Sequence, residues 1–483
     1  MSTHRSLRIS ATALAGAALA VLLCGCVNRG GWKPAAQLAP ASLTAERTLA
    51  GTQLDPAAWP ADGWWRRYGD PQLDELIGEA LAGSPSLINA EARLRAAQGQ
   101  ALTAGAPQLP SVLLDAEVTR QRYPQDGLFP PPYAGNYYND GRVALDLSYE
   151  IDFWGRNRAL LAAARSGVEA AEADRAAARL AIAVAVVRAY IQLDLWYAML
   201  DVANDQLKQQ TSILDLTQQR MSAGLENTAR VKQSEGNVAL ARAGIAAAEA
   251  YIQLSRNQLG ALTGAGPDRG QALARPQLAA PSGIALPSTL PADLLGRRPD
   301  VAAARAQVQG ATHGIEAAEA DFYPNVNLTA FAGFQSIGLD KLFEAPNRIV
   351  GVQPALSLPV FNRRQLRGAL EGRQAQFDAS VGQYNQTVIN AVHDVADVVA
   401  NWRSLERESA EQQTALAAAQ RAYDLTTERY RAGLDNYLSV LSSENQLLLA
   451  QALGAQLAAQ RLTFSVDLVR ALGGGYAAPA PPG

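Results

Sequence analysis

Cysteine, histidine and methionine are nearly missing from this sequence: two, three and three residues among 483. With only Cys24 and Cys26, no disulfide framework or cysteine-rich metal site can be built. His313 and His393 stand alone on helical stretches, without a second His or Cys at metal-ligand spacing. No GxSxG or GxGxxG follows a strand, and GAGPDRG (264–270) sits in a connector, so nothing supports an enzyme. Charge is scarce as well. Charged residues make up 18%, the net charge is −3, and no Lys/Arg cluster stands out, which leaves a nucleic-acid partner without an electrostatic footprint. What is plentiful is alanine, the best helix former.

The N-terminus accounts for both cysteines. Arg5 and Arg8 precede an apolar run from Ala11 to Leu23, and no acidic residue occurs before Glu46. A run of about 13 residues is too short to span a bilayer but suits a signal-peptide core. It ends LCGC, which resembles a lipobox, with Leu23 three before Cys26 and Gly25 just before it. Cys24 cannot be the modified residue, because Leu23 would then fill the small-residue position. The expectation is a signal peptide over 1–25 and a covalent lipid on Cys26, with no other cofactor and no metal; a plain secretory signal with a stray cysteine is the alternative. By the same resemblance, Val27 lacks the Asp that retains bacterial lipoproteins at the inner membrane, so the expected address is the outer membrane. No other stretch reads as a transmembrane helix. A chain that spans a membrane must then do so as strands.

Along the chain, residues 26–71 read as an extended or loosely folded leader, rich in Pro, Ala and Gly. Two copies of one scheme follow, over 72–263 and 300–472, joined by a connector (264–299) and ended by a flexible tail (473–483). Each copy has a helix, two strands, a long helix and a shorter helix. The strands are expected at 109–122 and 141–154, then at 324–336 and 348–361. The long helices are expected at 159–223 and 364–432, the shorter ones at 228–262 and 435–472. TQQRMSAGLENT at 217 aligns with TERYRAGLDNY at 426 with an offset of 209. In the second long helix Val388, Val395, Trp402, Leu416, Tyr423 and Tyr430 share one heptad position, a coiled-coil seam interrupted only by Ser409.

The segment VALDLSYEIDFWGR (143–156) alternates apolar and polar residues with a period of two, the signature of a strand with one oily face. Val326, Leu328, Ala330 and Val350, Val352, Leu356, Leu358 continue the pattern in the second copy. A soluble sandwich would show the same alternation. Aromatics lean toward a membrane barrel: 14 of the 31 Trp, Tyr and Phe residues fall in the windows 123–154 and 322–361, about 15% of the chain. Four strands cannot close a barrel, for which about eight are the minimum. Several copies must therefore share one, and three would supply twelve strands.

RRPDVAAARAQV (297–308), EADFYPNVNL (319–328), LSLPVFN (356–362), YNQTVINAVHDVAD (384–397), RYRAGLDNYLSVL (429–441) and VRALGGGY (469–476) resemble the TolC-like outer-membrane efflux channels, the lipoprotein (OprM/NodT-type) branch most closely. The resemblance implies a mainly α, internally duplicated homotrimer. Its long coiled-coil helices would form a periplasmic α-barrel, and its strands a 12-stranded outer-membrane β-barrel. It implies a passive duct that docks on a periplasmic adaptor (a membrane fusion protein) served by an inner-membrane RND-type pump. Arg220, Gly224 and Leu225, with Arg429, Gly433 and Leu434, are the expected adaptor-contact tips, although Gly there also simply ends a helix. Asp146, Glu150 and Asp152 would face the lumen, with Trp154 as an interfacial anchor and Gly155 at the bend into the helix. In this family a Leu, and an Asp four residues later, close the periplasmic end. Leu438 matches the Leu, but Ser442 stands at the Asp position and Asn445 at a following Arg position. Asp435 and Glu444 are the substitutes nearby, each equally readable as a solvated helix charge, and a gate dominated by Leu438 packing is expected. A protein-secretion duct and a structural periplasmic coiled coil are the rival readings.

Overall fold

A computed structural model describes residues 31–39, 43–44, 46–51, 55, 59–281, 283–287, 294–359 and 361–478. The expected signal peptide and both cysteines lie outside these residues. The chain is mainly helical with one four-stranded antiparallel sheet. Its longer elements in order are α1 (Pro71–Gly83), α2 (Pro85–Gly105), β1 (Ser111–Arg122), β2 (Tyr137–Ile151), α3 (Arg156–Ser222), α4 (Thr228–Leu262), α5 (Pro299–Ala320), β3 (Asn325–Ile337), β4 (Arg348–Ser357), α6 (Arg363–Arg431) and α7 (Tyr437–Ala471). Contacts divide it into a sheet unit (Met1–Gln37, Leu94–Ala171, Ala304–Tyr384) and a helical unit (Leu38–Arg93, Glu172–Ala303, Asn385–Gly483).

In the sheet unit the strand order is β1-β2-β3-β4, so β1 and β4 are edges. β2 starts at Tyr137 rather than 141, because its ladder with β1 continues through Asn139↔Arg120 to Tyr137↔Arg122, beyond the alternating stretch. Part of the leader is docked rather than loose. The Trp32 ring meets Phe377 edge-on at 5.6 Å, and its indole N–H donates to Asp378 Oδ2 at 2.9 Å.

The helical unit is built on the parts of α3 and α6 that follow residues 171 and 384; the two helices have 67 and 69 residues, each free of proline and about 100 Å long. Residues 182 to 193 of α3 form a buried stretch (Ile182, Val184, Val187, Tyr190, Leu193) against Leu73 and Ile77 of α1, Leu259 of α4 and Val466 of α7. This stretch corrects one expectation. α3 carries an 18-residue window apolar enough to cross a membrane by length and composition. Half of that window is buried, and its apolarity is that of a core helix. In α6, Val392, Val395 and Val399 pack on Leu468 and Leu472. Further along the same seam Trp402 and Tyr430 are buried too.

Two more expectations are corrected here. Trp64, Trp65 and Tyr68, in the supposed loose leader, form a short 3-10 turn inside the α3 core. Gly473–Gly475 is not a flexible tail. All three residues have positive φ, where only glycine is unstrained, and each lies against a neighbour: a Cβ would meet the Arg297 carbonyl, the Leu180 side chain or the Ala61 backbone. Gly473→Ala should lower the thermal midpoint by several degrees, since a methyl group there collides with backbone; an unchanged midpoint would contradict this packing.

Arg298 is the principal polar anchor of this unit. Its guanidinium is buried, donates to both oxygens of Asp300 (3.0 and 2.7 Å), to Asp394 Oδ2 (2.9 Å) and to the Ala471 carbonyl (3.2 Å). One side chain thereby ties the start of α5 to the middle of α6 and the end of α7.

Candidate functional site: a two-faced sheet and paired helix tips

The register sorts the sheet into two faces, because directly opposed residues point the same way. One face carries Val112, Leu114 and Val118 of β1, and Val143, Leu145, Leu147, Tyr149 and Ile151 of β2. It continues through Val326, Leu328, Ala330 and Phe334 of β3 to Val350, Val352 and Leu356 of β4. The opposite face holds Asp115, Glu117, Arg142, Asp146, Ser148, Glu150, Asn327, Thr329 and Gln353, with Leu113, Phe331 and Ile349 among them. Arg142 bridges Asp146 at 2.6 Å and Asp115 at 3.4 Å across that polar face. Leu114 (71% exposed), Val350 (82%) and Val352 (70%) are uncovered, so none of the described residues shields the apolar face there. Strands of 10 to 15 residues are long enough to cross a hydrocarbon layer, which needs about 9–11.

Where β2 turns into α3, the structure corrects the role of Asp152. It lies past the strand end and accepts a hydrogen bond from the Arg158 backbone N–H at 2.9 Å, capping the helix instead of continuing the polar face. Gly155 takes φ 78 at the bend. Trp154 stacks on Tyr323 at 4.5 Å and donates its indole N–H to the Pro324 carbonyl at 2.8 Å.

The two helix tips are built alike. Gly224 and Gly433 adopt φ 73 and 75, and each following leucine closes a six-residue turn: Leu225 N–H to the Arg220 carbonyl (2.8 Å), Leu434 N–H to the Arg429 carbonyl (2.9 Å). Asn227 and Asn436, again 209 residues apart, cap α4 and α7, which have 35 residues each. Leu225 and Leu434 remain 64% and 69% exposed. Arg429 reaches Asp435 at 3.3 Å. The Asp435 carboxyl is held below its ordinary range first by Ser439, then by the Asn436 N–H, with Arg429 adding to this. Arg220 turns inward across the duplication, donating to the Tyr430 carbonyl at 2.9 Å with its guanidinium 4.7 Å from that ring.

The gate candidates separate onto opposite sides of α7. Leu438 is 56% exposed, and Ser442, Asn445 and Leu449 extend its outward stripe. Tyr437, Val440, Glu444 and Leu447 form the buried stripe, and Glu444 is only 1% exposed. Glu444 is therefore not a solvated charge. Gln210 of α3 donates to its Oε2 at 2.6 Å, and burial pushes its carboxyl up to about 7, with the Gln210 hydrogen bond opposing. Spacing of three and four around Glu444 was the sequence signal for this placement; the inward partner Gln210 had none. Among the described residues no group of three or more His, Cys, Asp or Glu could hold a metal ion.

The family model described as outer membrane efflux protein matches residues 76–265 and 290–474. The chain is 39% identical over 369 residues to the fusaric acid resistance protein FusA of Burkholderia cepacia, covering 75% of this chain and 69% of that one. It is 33% identical to the multidrug resistance outer membrane protein MdtP of Escherichia coli K12, over 95% of both. Its fold is similar to that of the outer membrane protein VceC from Vibrio cholerae, with a TM-score of 0.82 and 37% identity over 86% of this chain and all of that one.

Proposed function

This chain belongs to the outer membrane efflux protein family, and on that premise we propose that it is the outer-membrane exit duct of a tripartite efflux system, without catalytic activity of its own. The carrying observation is the sheet: one face is apolar through its middle from β1 to β4, the other carries the acidic and most other polar groups, and both edge strands lack a partner among the described residues. Three copies pairing β4 of one with β1 of the next would close twelve strands, with lipid outside and water inside. Exposed backbone edges in a membrane are otherwise untenable. The names of the relatives, fusaric acid and multidrug resistance, support small toxic organic molecules as cargo. Cys26 would carry the lipid, and the exposed Leu225 and Leu434 would meet a periplasmic adaptor that links the duct to an inner-membrane pump.

Mass determination of the detergent-extracted protein tests this reading. It should give three chains, each beginning at an acylated residue 26; a monodisperse single chain would overturn it. The gate reading has its own test. Leu438 and Leu449 face outward from α7, and meeting their counterparts from neighbouring copies would narrow the duct. Leu438→Ala should raise single-channel conductance in planar bilayers, and unchanged conductance would remove Leu438 from the gate.

A further inference from the structure

Of the buried side-chain oxygens in the helical unit that have no hydrogen-bond partner, two belong to one contacting pair: Glu444 Oε1 and Gln210 Oε1. Gln210 already donates its amide to Glu444 Oε2. A carboxylate and an amide carbonyl are both acceptors and cannot satisfy each other, whereas one proton added between them would satisfy both. A neutral carboxylic acid and a primary amide can instead close a ring of two hydrogen bonds. An ionised, singly bonded carboxylate at this depth carries a large desolvation cost.

No cation among the described residues offsets that cost. Among the described residues no ion pair reaches Glu444. α3 faces it with uncharged Gln210, α6 with the Tyr423 phenol and α7 with Tyr437. Both phenols are pushed up, first by burial and also by the Glu444 charge, Tyr423 to about 12. Arg431 and Arg230 act on those phenols, not on the carboxyl. The duplication supplies an internal contrast. Glu235 stands 209 residues earlier, at the matching place on α4, and pairs with Lys232 at 2.8 Å on the surface.

We propose that Glu444 is a buried proton-binding group whose neutral form closes onto Gln210, latching α7 of the second copy to α3 of the first, and whose ionisation loosens that latch beside the gate. The proton site stands on the chain alone; its consequence for conductance rests on the exit-duct reading. The sign follows from linkage. A carboxyl raised from 4.5 to about 7 on folding contributes stability that is fully present below 4.5 and is lost as pH rises through about 7.

The test compares the full-length wild type, Glu444→Gln and Glu235→Gln in detergent, reading thermal midpoints from pH 4.5 to 8.5. Wild type and Glu235→Gln should lose several degrees across that window. Glu444→Gln, a neutral near-isostere, should lose that step and be at least as stable as wild type at pH 8.5. A step retained in Glu444→Gln, or a Glu444→Gln protein less stable than wild type at pH 8.5, would overturn the proton site. In planar bilayers, wild-type conductance should rise from pH 5 to 8 while Glu444→Gln stays at its pH 5 level; a wild-type channel indifferent to pH would overturn the latch. A wild type that forms no channel at any pH would instead strike the exit-duct reading, with the thermal step still deciding the proton.

Discussion

Leu145→Arg is expected to abolish assembly in the outer membrane, while Ser148→Arg, three residues along the same strand, is expected to assemble normally. Leu145 lies near the middle of β2 on the apolar face, and Ser148 points to the polar face. An arginine facing lipid at the midplane costs about 2–4 kcal/mol. If three copies share one barrel, that penalty enters three times, for a total on the order of 10 kcal/mol, comparable to the whole stability of many domains. On the polar face the same side chain meets water and lies two residues from each of the carboxylates of Asp146 and Glu150. The readout is heat-modifiable trimer in isolated outer membranes. Equal yields of the two variants would mean that the faces are not lipid and water.

Arg298→Ala carries the second largest expected effect. The change leaves Asp300 and Asp394 without their shared cation, frees the Ala471 carbonyl and opens a hole where three helices meet. Removing one partner of a buried pair costs about 3–5 kcal/mol. Asp300 and Asp394 keep partial contact with water (43% and 29% exposed), so a value near the lower end, about 3 kcal/mol, is expected. Arg298→Lys keeps the charge but loses the planar fork, and should fall between wild type and Arg298→Ala. Thermal unfolding of the three proteins decides the matter; a cost below about 1 kcal/mol for Arg298→Ala would show that the network is ornamental.

What was legible in the sequence was whatever repeats. Alternation marked β2, β3 and β4 because their apolar face is uninterrupted, and the heptad steps through Val388, Val395 and Trp402 marked the α6 seam because one row of contacts persists for many turns. The tips were legible because Gly224 and Gly433 fill a backbone position that few other residues tolerate. What escaped was set by distant partners. Trp64, Trp65 and Tyr68 sit among residues with no periodicity, and only the α3 core makes them interior. The Gly473–Gly475 run looks like a linker until Arg297, Leu180 and Ala61 close around it. Asp152 continues the alternation but is taken by the first turn of α3. Glu444 shows the difference most sharply: its spacing pointed inward while its charge pointed outward, and burial beside Gln210 decided between them.

A single-cysteine scan of residues 143 to 150 puts the central claim to its most direct test. Each position would be labelled in turn in the membrane-embedded protein and exposed to a lipid-soluble and a water-soluble quencher. The account predicts strict alternation, with 143, 145, 147 and 149 reached from lipid and 144, 146, 148 and 150 from water or shielded from both. Water-soluble quenching at every position, or none of the alternation, would contradict it.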